Sequence, residues 1–353
     1  EISTRDWSSD VCSSDLLRGP QPRRRFLAIG ASFLYRKLCE DGKMPKPFLT
    51  YEQQLIKLRD EKHIVIADEA ETLCKLQQVG YYSLVSGYKH LFRIPAQKIY
   101  KEGTAFEELV SLYEFDEALR ELFLHYLLHI ERHIRSLLSY YFTEKYGESQ
   151  GAYLRKTNYN YIRKHHQGIN RLVEDLQEMT QTTQRPYIEY QRNTYHNVPL
   201  WVLINSLTFG TLSKMYAFFP SDLQSKVSKN FVHVNEKELR QFLTVMTKFR
   251  NVCAHGERLF SYRSKESISN MELHAKLGIP KERGLYQCGK NDLFAVVIAF
   301  RYLLPKREFL KFKRVLTAQI DNFLKSTTHI SEDELLRAMG FPANWKKISL
   351  YRI

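Results

Sequence analysis

The stretch KFRNVCAHGERLF, Lys248 to Phe260, gathers Arg250, Asn251, His255, Glu257 and Arg258 at the end of a run that otherwise reads as core. Imidazole changes charge near neutral pH and can take or give a proton there. A guanidinium grips phosphate through two parallel hydrogen bonds and steadies charge that builds in a transition state. Asn251 and His255 are four apart and share a helix face. Arg250 lies five before His255, about 140° round the helix, close enough for its long side chain to arch toward the same pocket. These are parts suited to cutting RNA without a metal. His255 would act as general acid or base, Arg250 would hold the scissile phosphate, and Asn251 would orient either. The same residues also make a plain polar helix end, and an Arg-x4-His spacing alone does not choose between the two.

The elements that must position these residues read as helices. Leu239, Phe242, Leu243, Met246, Phe249 and Cys253 recur at helical spacing. They predict an amphipathic helix over 237–254, capped by Asn235 and stopped by Gly256. Unpaired carbonyls at its C-terminal end favour a charged imidazolium at His255. Upstream, Leu119, Leu122, Phe123, Tyr126, Leu127, Ile130, Ile134, Leu137, Leu138 and Tyr141 mark a long core-facing helix. It is expected to open on a capping box at Thr104-Ala-Phe-Glu107, with a break near Phe115-Asp116. Thr50-Tyr-Glu-Gln53 is a similar box, followed by Leu55, Ile56 and Leu58 on one apolar side. A second helix runs from about Asp68 to Val79 and stops at Gly80. Further helices are expected over about 159–181, after Pro199, and over about 291–303 and 306–325, with Ser331 capping a short C-terminal piece. "IVI" and the terminal "ISLYRI" suit minor strands. No sustained alternation of period two occurs. The class is therefore all-α, with a small N-terminal helical module over 44–103, a larger bundle over 104–325 and a tail over 326–353.

Two further constellations bear on chemistry. In LHYLLHIERHIRS, His125, His129 and His133 line one stripe. Histidines on one helix without a carboxylate pattern are a polar face more often than a metal site, so no metal is expected. Glu131 and Arg135, also four apart, suit an ion pair along the helix, or a supporting role beside Arg250 and His255. Basic patches interleaved with aromatics occur at 153–166, with Arg155, Lys156, Arg163 and Lys164, and at 306–314, with Lys311 and Lys313. Cations suit phosphates and tyrosines stack on bases, although a solvated helix face would look the same. The net charge of +14 over 353 residues favours a polyanionic partner. No phosphate-binding glycine loop, zinc-protease motif or nucleophile elbow is present, so no cofactor is expected.

The chain has no apolar run of about 18 residues and no signal-peptide layout. Five cysteines at 12, 39, 74, 253 and 288 show no paired spacing. The expected setting is the reducing cytoplasm, away from membrane. The segment DWSSDVCSSDL, Asp6 to Leu16, equals one reading frame of a common sequencing-library adapter, so residues 1–16 read as translated artefact. They carry a net −3, which leaves +17 for the remainder. Residues 17–43 read as an upstream extension, with Met44 as the start.

Several blocks in order carry a resemblance. KPFLTYEQQLIKLRDEKHIVI, VGYYSLVSGYKHLFR, FEELVSLYEFDEALR, IERHIRSLLSYYFTEKYG, LWVLINSLTFGTLSKMY and RNVCAHGERLF resemble the Abi family of bacterial abortive-infection proteins, its AbiD/AbiF group, across roughly 46–260. The resemblance implies a HEPN-like helical ribonuclease domain in an anti-phage toxin. Its Arg-x4-6-His motif falls on Arg250 and His255, with Asn251 after the arginine. It also implies a homodimer that brings two such motifs together, and RNA as substrate, with a noncoding RNA as a further partner. Some members carry a tyrosine two residues after the histidine; here that position is Glu257. A non-catalytic protein that holds a structured noncoding RNA is the alternative, and a protein-interaction scaffold is a third reading.

Overall fold

Amphipathic helices with defined caps make up nearly all the secondary structure. The structure, a computed structural model, describes residues 47–95 and 99–352. The readings of residues 1–16, 17–43 and Met44 lie outside the described residues. In chain order the helices are α1 Tyr51–Ile56, α2 Glu69–Val79, α3 Phe106–Tyr146, α4 Gln150–Leu154, α5 His166–Thr182, α6 Pro186–Tyr195, α7 Leu200–Leu203, α8 Phe209–Phe218, α9 Ser221–Ser228, α10 Glu236–Ala254, α11 Glu272–Lys276, α12 Leu293–Leu303, α13 Lys306–Lys325 and α14 Glu332–Met339. One antiparallel ribbon, β1 Lys281–Glu282 with β2 Leu285–Tyr286, is the only sheet among the described residues. The fold is all-α.

The long apolar stripe becomes α3, a helix of 41 residues, about 60 Å long at 1.5 Å per residue. It is the spine of the molecule. Helices α13 and α10 pack most extensively along it, and α7, α8 and α9 pack beside them. Leu119, Phe123, Leu127, Ile134, Leu138 and Phe142 are fully buried on its inner side. Each such side chain contributes about 1.5–3 kcal/mol relative to exposure, so α3 is fixed in rotation as well as in place. Helix α12 is buried at every residue, which suits the centre of a bundle. Among the described residues no helix is long and apolar enough to cross a membrane.

The caps explain most boundaries. Asn235 accepts from Glu238 N at 2.9 Å while the Glu238 carboxylate accepts from Asn235 N, a reciprocal box that starts α10. Ser331 and Glu334 start α14 in the same way. Asp68 caps α2 and Gly80, at φ +84°, ends it. Pro199 precedes α7.

Five local expectations are corrected. Helix α3 starts one residue later than Thr104 suggests: Ala105 is its N-cap residue, Glu108 rather than Glu107 accepts from Ala105 N, and the Thr104 hydroxyl turns back to Lys101 O. There is no break at Phe115-Asp116; the acidic residue is taken up by buried partners described below. Helix α5 begins at His166, because Tyr159 is buried with its hydroxyl on Tyr153 O, and residues 159–165 are spent on that turn. Ile56 points to solvent, since only Leu55 and Leu58, three apart, can share the inner side. Neither "IVI" nor the described part of "ISLYRI", 348–352, is a strand: Val65 makes one isolated bridge with Ala105, and Trp345–Ser349 coils as a 3-10 helix that buries Trp345 and Ile348 three apart.

Candidate functional site

The end of α10 is built by a complete set of C-terminal backbone bonds. Glu257 N donates to Val252 O at 3.0 Å and Gly256 N to Cys253 O at 3.4 Å, around Gly256 at φ +66°. That pair of bonds is the Schellman closure, in which a left-handed residue satisfies carbonyls the helix leaves open. Glycine takes this conformation without the clash a Cβ brings. His255 is thereby the C-cap residue, exposed, with its own N–H on Asn251 O at 2.9 Å. Its imidazole makes no hydrogen bond within the described residues, so both ring nitrogens are available.

Arg250 stands one turn earlier, its side chain about one-third exposed. Its Nε lies 3.5 Å from Oε2 of Glu131, which is buried on α3. The other oxygen of Glu131 accepts from Arg135 Nη2, which also donates to Leu207 O at 2.8 Å. The result is a chain of three charges across two helices: Arg135, Glu131, Arg250. Oε2 and the Nε of Arg250 approach each other but form no hydrogen bond. The charge pair therefore locates Arg250 while leaving its terminal nitrogens free for a ligand. Glu131 and Arg135, read from sequence as an ion pair or a support, form both the pair and the contact to Arg250. Asn251 is exposed beside them, and no hydrogen bond joins it to Arg250 or His255 side chains.

The segment after the motif is tied down by a residue whose role was missed. Asp116 on α3 is fully buried. It accepts from Leu259 N at 3.0 Å, from Phe260 N at 2.6 Å, from the Tyr88 hydroxyl at 2.7 Å and from Arg120 Nη1 at 2.9 Å. Arg258 donates to Gly87 O, and Phe260 stacks on Tyr88 with ring centroids 5.9 Å apart. The loop leaving His255 is thus anchored within a few residues. The signal for this was present: an aspartate within an apolar stripe, with an arginine four residues on, is a buried pair rather than a helix break.

The other candidates do not converge on this end of α10. His125 and His129 sit together with ring centroids 4.9 Å apart, while His133 packs its edge on Phe231. Burial lowers the pKa of both His129 and His133. Among the described residues no group of three His, Cys, Asp or Glu side chains is placed to hold a metal. Cys74, Cys253 and Cys288 form no disulfide; Cys12 and Cys39 lie outside the described residues. Arg155, Arg163 and Lys164 are exposed and Lys156 half-buried, all in the turns before α5. On α13, Lys311 is exposed and pairs with Glu308, but Lys313 is half-buried and donates to the Ser349 hydroxyl at 2.6 Å. Two residues apart on a helix, they face different ways. Arg307 and Arg314 instead share the exposed side with Lys311.

A search of curated proteins and a search of solved structures returned no match. The family model described as "Abi-like protein" matches residues 74–261, just over half of the chain. The match runs from α2 through the whole of α10 and ends directly after Phe260, so Asp116, Glu131, Arg250 and His255 all lie inside it, whereas the N-terminal block at 46–66 lies outside. The chain belongs to the Abi-like protein family, a grouping associated with abortive infection.

Proposed function

We propose that the chain is a metal-independent endoribonuclease of the HEPN type that acts in phage defence. The observation that carries this reading is the placing of two unlike groups at one helix end: Arg250, located by buried Glu131, and His255, exposed at the C-cap with both ring nitrogens available. In the reaction the 2′-oxygen of RNA attacks the adjacent phosphorus and the bond to the 5′-oxygen breaks. An imidazole takes the 2′-hydroxyl proton, and an acid returns a proton to the 5′-oxygen. Arg250 binds the non-bridging oxygens, where charge builds as five groups crowd the phosphorus. One copy holds one such motif, so two copies facing each other supply both the base and the acid, and the working form is a homodimer. Exposed cations at Arg155, Arg163, Lys164, Lys311 and Arg314 hold the RNA backbone.

Products carry a 2′,3′-cyclic phosphate and a 5′-hydroxyl. The test is incubation of purified protein with total RNA in excess EDTA, with the new ends mapped chemically. Cyclic phosphate ends from the wild-type protein, absent with His255→Ala, support the reading. Cleavage that is lost in EDTA and restored by a divalent ion overturns it. Tight binding of a structured RNA with no cleavage, in the presence or absence of phage infection, favours the non-catalytic RNA-holding role instead. That role draws on the same exposed cations, and its affinity falls steeply with salt.

A further inference from the structure

Glu131 and His133 are two residues apart on α3 and point about 200° away from each other. On the His133 side lies a cavity of about 650 Å³, between the end of α12, the start of α13, the segment after α9 and the C-terminal residues 349–352. It belongs to no part of the site described above. Its size is that of a small-molecule pocket.

Arg301 at the end of α12 lines this cavity with only 9% of its surface exposed. Buried arginines are ordinarily paired with a carboxylate, because an unpaired buried charge is costly. Arg301 has no such partner among the described residues. Of its five N–H donors, one, on Nη2, reaches Tyr351 O at 3.0 Å. The guanidinium also rests over the Phe309 ring, 5.6 Å from its centroid. Its Nε is buried without an acceptor. Lys306 and Arg352, both exposed, stand on the rim, and among the described residues no carboxylate lines the cavity. One wall is aromatic, where the His133 ring meets Phe231 with centroids 5.3 Å apart. Three cations with no counter-charge among the described residues call for a dianion. A cavity of this volume beside two rings calls for more than the anion alone.

We infer that this pocket binds a nucleoside 5′-monophosphate, with its phosphate on Arg301, Lys306 and Arg352 and its base against His133 and Phe231. Because His133 and Glu131 share α3, the pocket backs onto the helix that locates Arg250. The proposal concerns binding alone and stands whether or not the chain cuts RNA.

The test is calorimetric titration of the full chain with AMP, GMP, CMP and UMP, with adenosine and inorganic phosphate as separate arms. At least one monophosphate is expected to bind, adenosine not to, and inorganic phosphate to bind at least tenfold more weakly. Arg301→Met, and separately Lys306→Ala with Arg352→Ala, are expected to weaken binding at least about tenfold, the loss of one charge-assisted hydrogen bond. Thermal melts of the unliganded proteins give a second reading. If Arg301 serves a ligand, Arg301→Met loses binding whatever its melting temperature; if it only ties Tyr351 in place, the variant melts lower but binds the monophosphates as wild type does, and the inference fails. Should Arg301→Met not fold, the rim double variant, whose side chains are exposed, still decides. No binding by any monophosphate at millimolar concentration overturns the proposal, as does binding that neither variant weakens. Inorganic phosphate binding as tightly as the nucleotides reduces the pocket to a plain anion site. A 5′-phosphorylated dinucleotide binding more tightly than every monophosphate makes the occupant an RNA end.

Discussion

Helix α3 carries the same device twice. Asp116 with Arg120, and Glu131 with Arg135, are buried carboxylates each paired to an arginine four residues on. Each also reaches across to the region of α10. Asp116 accepts four hydrogen bonds from well-placed donors, and Arg120 beside it is 6% exposed. Nothing there is left to offer a ligand. Glu131 spends one oxygen on Arg135 and holds the other 3.5 Å from Arg250, whose side chain reaches the surface. A saturated buried pair fixes a chain in place. An unsaturated one, backing onto a partly exposed arginine and an exposed histidine, leaves polar atoms that the proposed cleavage would use. Two stretches of one helix thus separate a fastening from a candidate site.

The largest expected effect tests the fastening. Asp116→Ala leaves Arg120 buried without its partner and frees two backbone N–H groups. Denaturant unfolding is expected to show a loss of about 3–5 kcal/mol. A loss under about 1 kcal/mol would mean that the loop after His255 is held by Arg258 and Phe260 rather than by Asp116.

A third buried carboxylate extends the comparison. Asp292 caps α12, accepting from Ala295 N at 3.0 Å and from Gly289 N, but it has no arginine bonded to it. Burial pushes its pKa up to about 6. A raised carboxylate pKa gives stability that is full below the unfolded value near 3.9 and is lost as pH rises through about 6. Relative to Asp292→Asn, the wild-type protein is therefore expected to lose about 2–3 kcal/mol between pH 4 and pH 7. Chemical unfolding of both proteins across that range checks it; parallel curves would mean that the carboxyl titrates alike in the folded and unfolded chains.

Much of this was legible in the sequence, and the reasons differ by region. The all-α class and α10 with its Asn235 cap and Gly256 stop follow from local rules: periodicity, a reciprocal box, a left-handed glycine. The pairing of Glu131 with Arg135 is equally local. For Asp116 the i,i+4 arginine marks a buried pair, but the partners that make it a fastening, Tyr88, Leu259 and Phe260, are 28 to 144 residues away, and no local rule sees them. Read locally, an acid amid Leu and Phe looks like an interruption. Lys313 shows the same limit in reverse. A basic run counts charges, but the helix turns each one differently, and one of two lysines was claimed by Ser349. Arg301 gave no signal at all, since its peculiarity is the absence of a neighbour.

The smaller effects concern the candidate site. Glu131→Gln removes the charge between two arginines that both reach water, so a stability loss of about 1–2 kcal/mol is expected. If Arg250 acts in cleavage, the same variant cuts RNA about a hundredfold more slowly, since displacing a positioned group by an ångström has that effect. Equal activity with lowered stability would place Glu131 with Asp116, as a fastening only. His255→Ala is expected to shift stability by no more than about 0.5 kcal/mol, as exposed positions do, and Arg250→Ala, half-buried against Glu131, by about 1 kcal/mol.

The most direct measurement pairs cleavage rate with melting temperature on the same preparations of wild type, Arg250→Ala and His255→Ala, in EDTA. The expected result is three closely similar melting curves, with RNA cleavage reduced at least about a hundredfold in both variants. Undiminished cleavage by either folded variant, or cleavage lost only where the fold is lost, would contradict a catalytic end of α10.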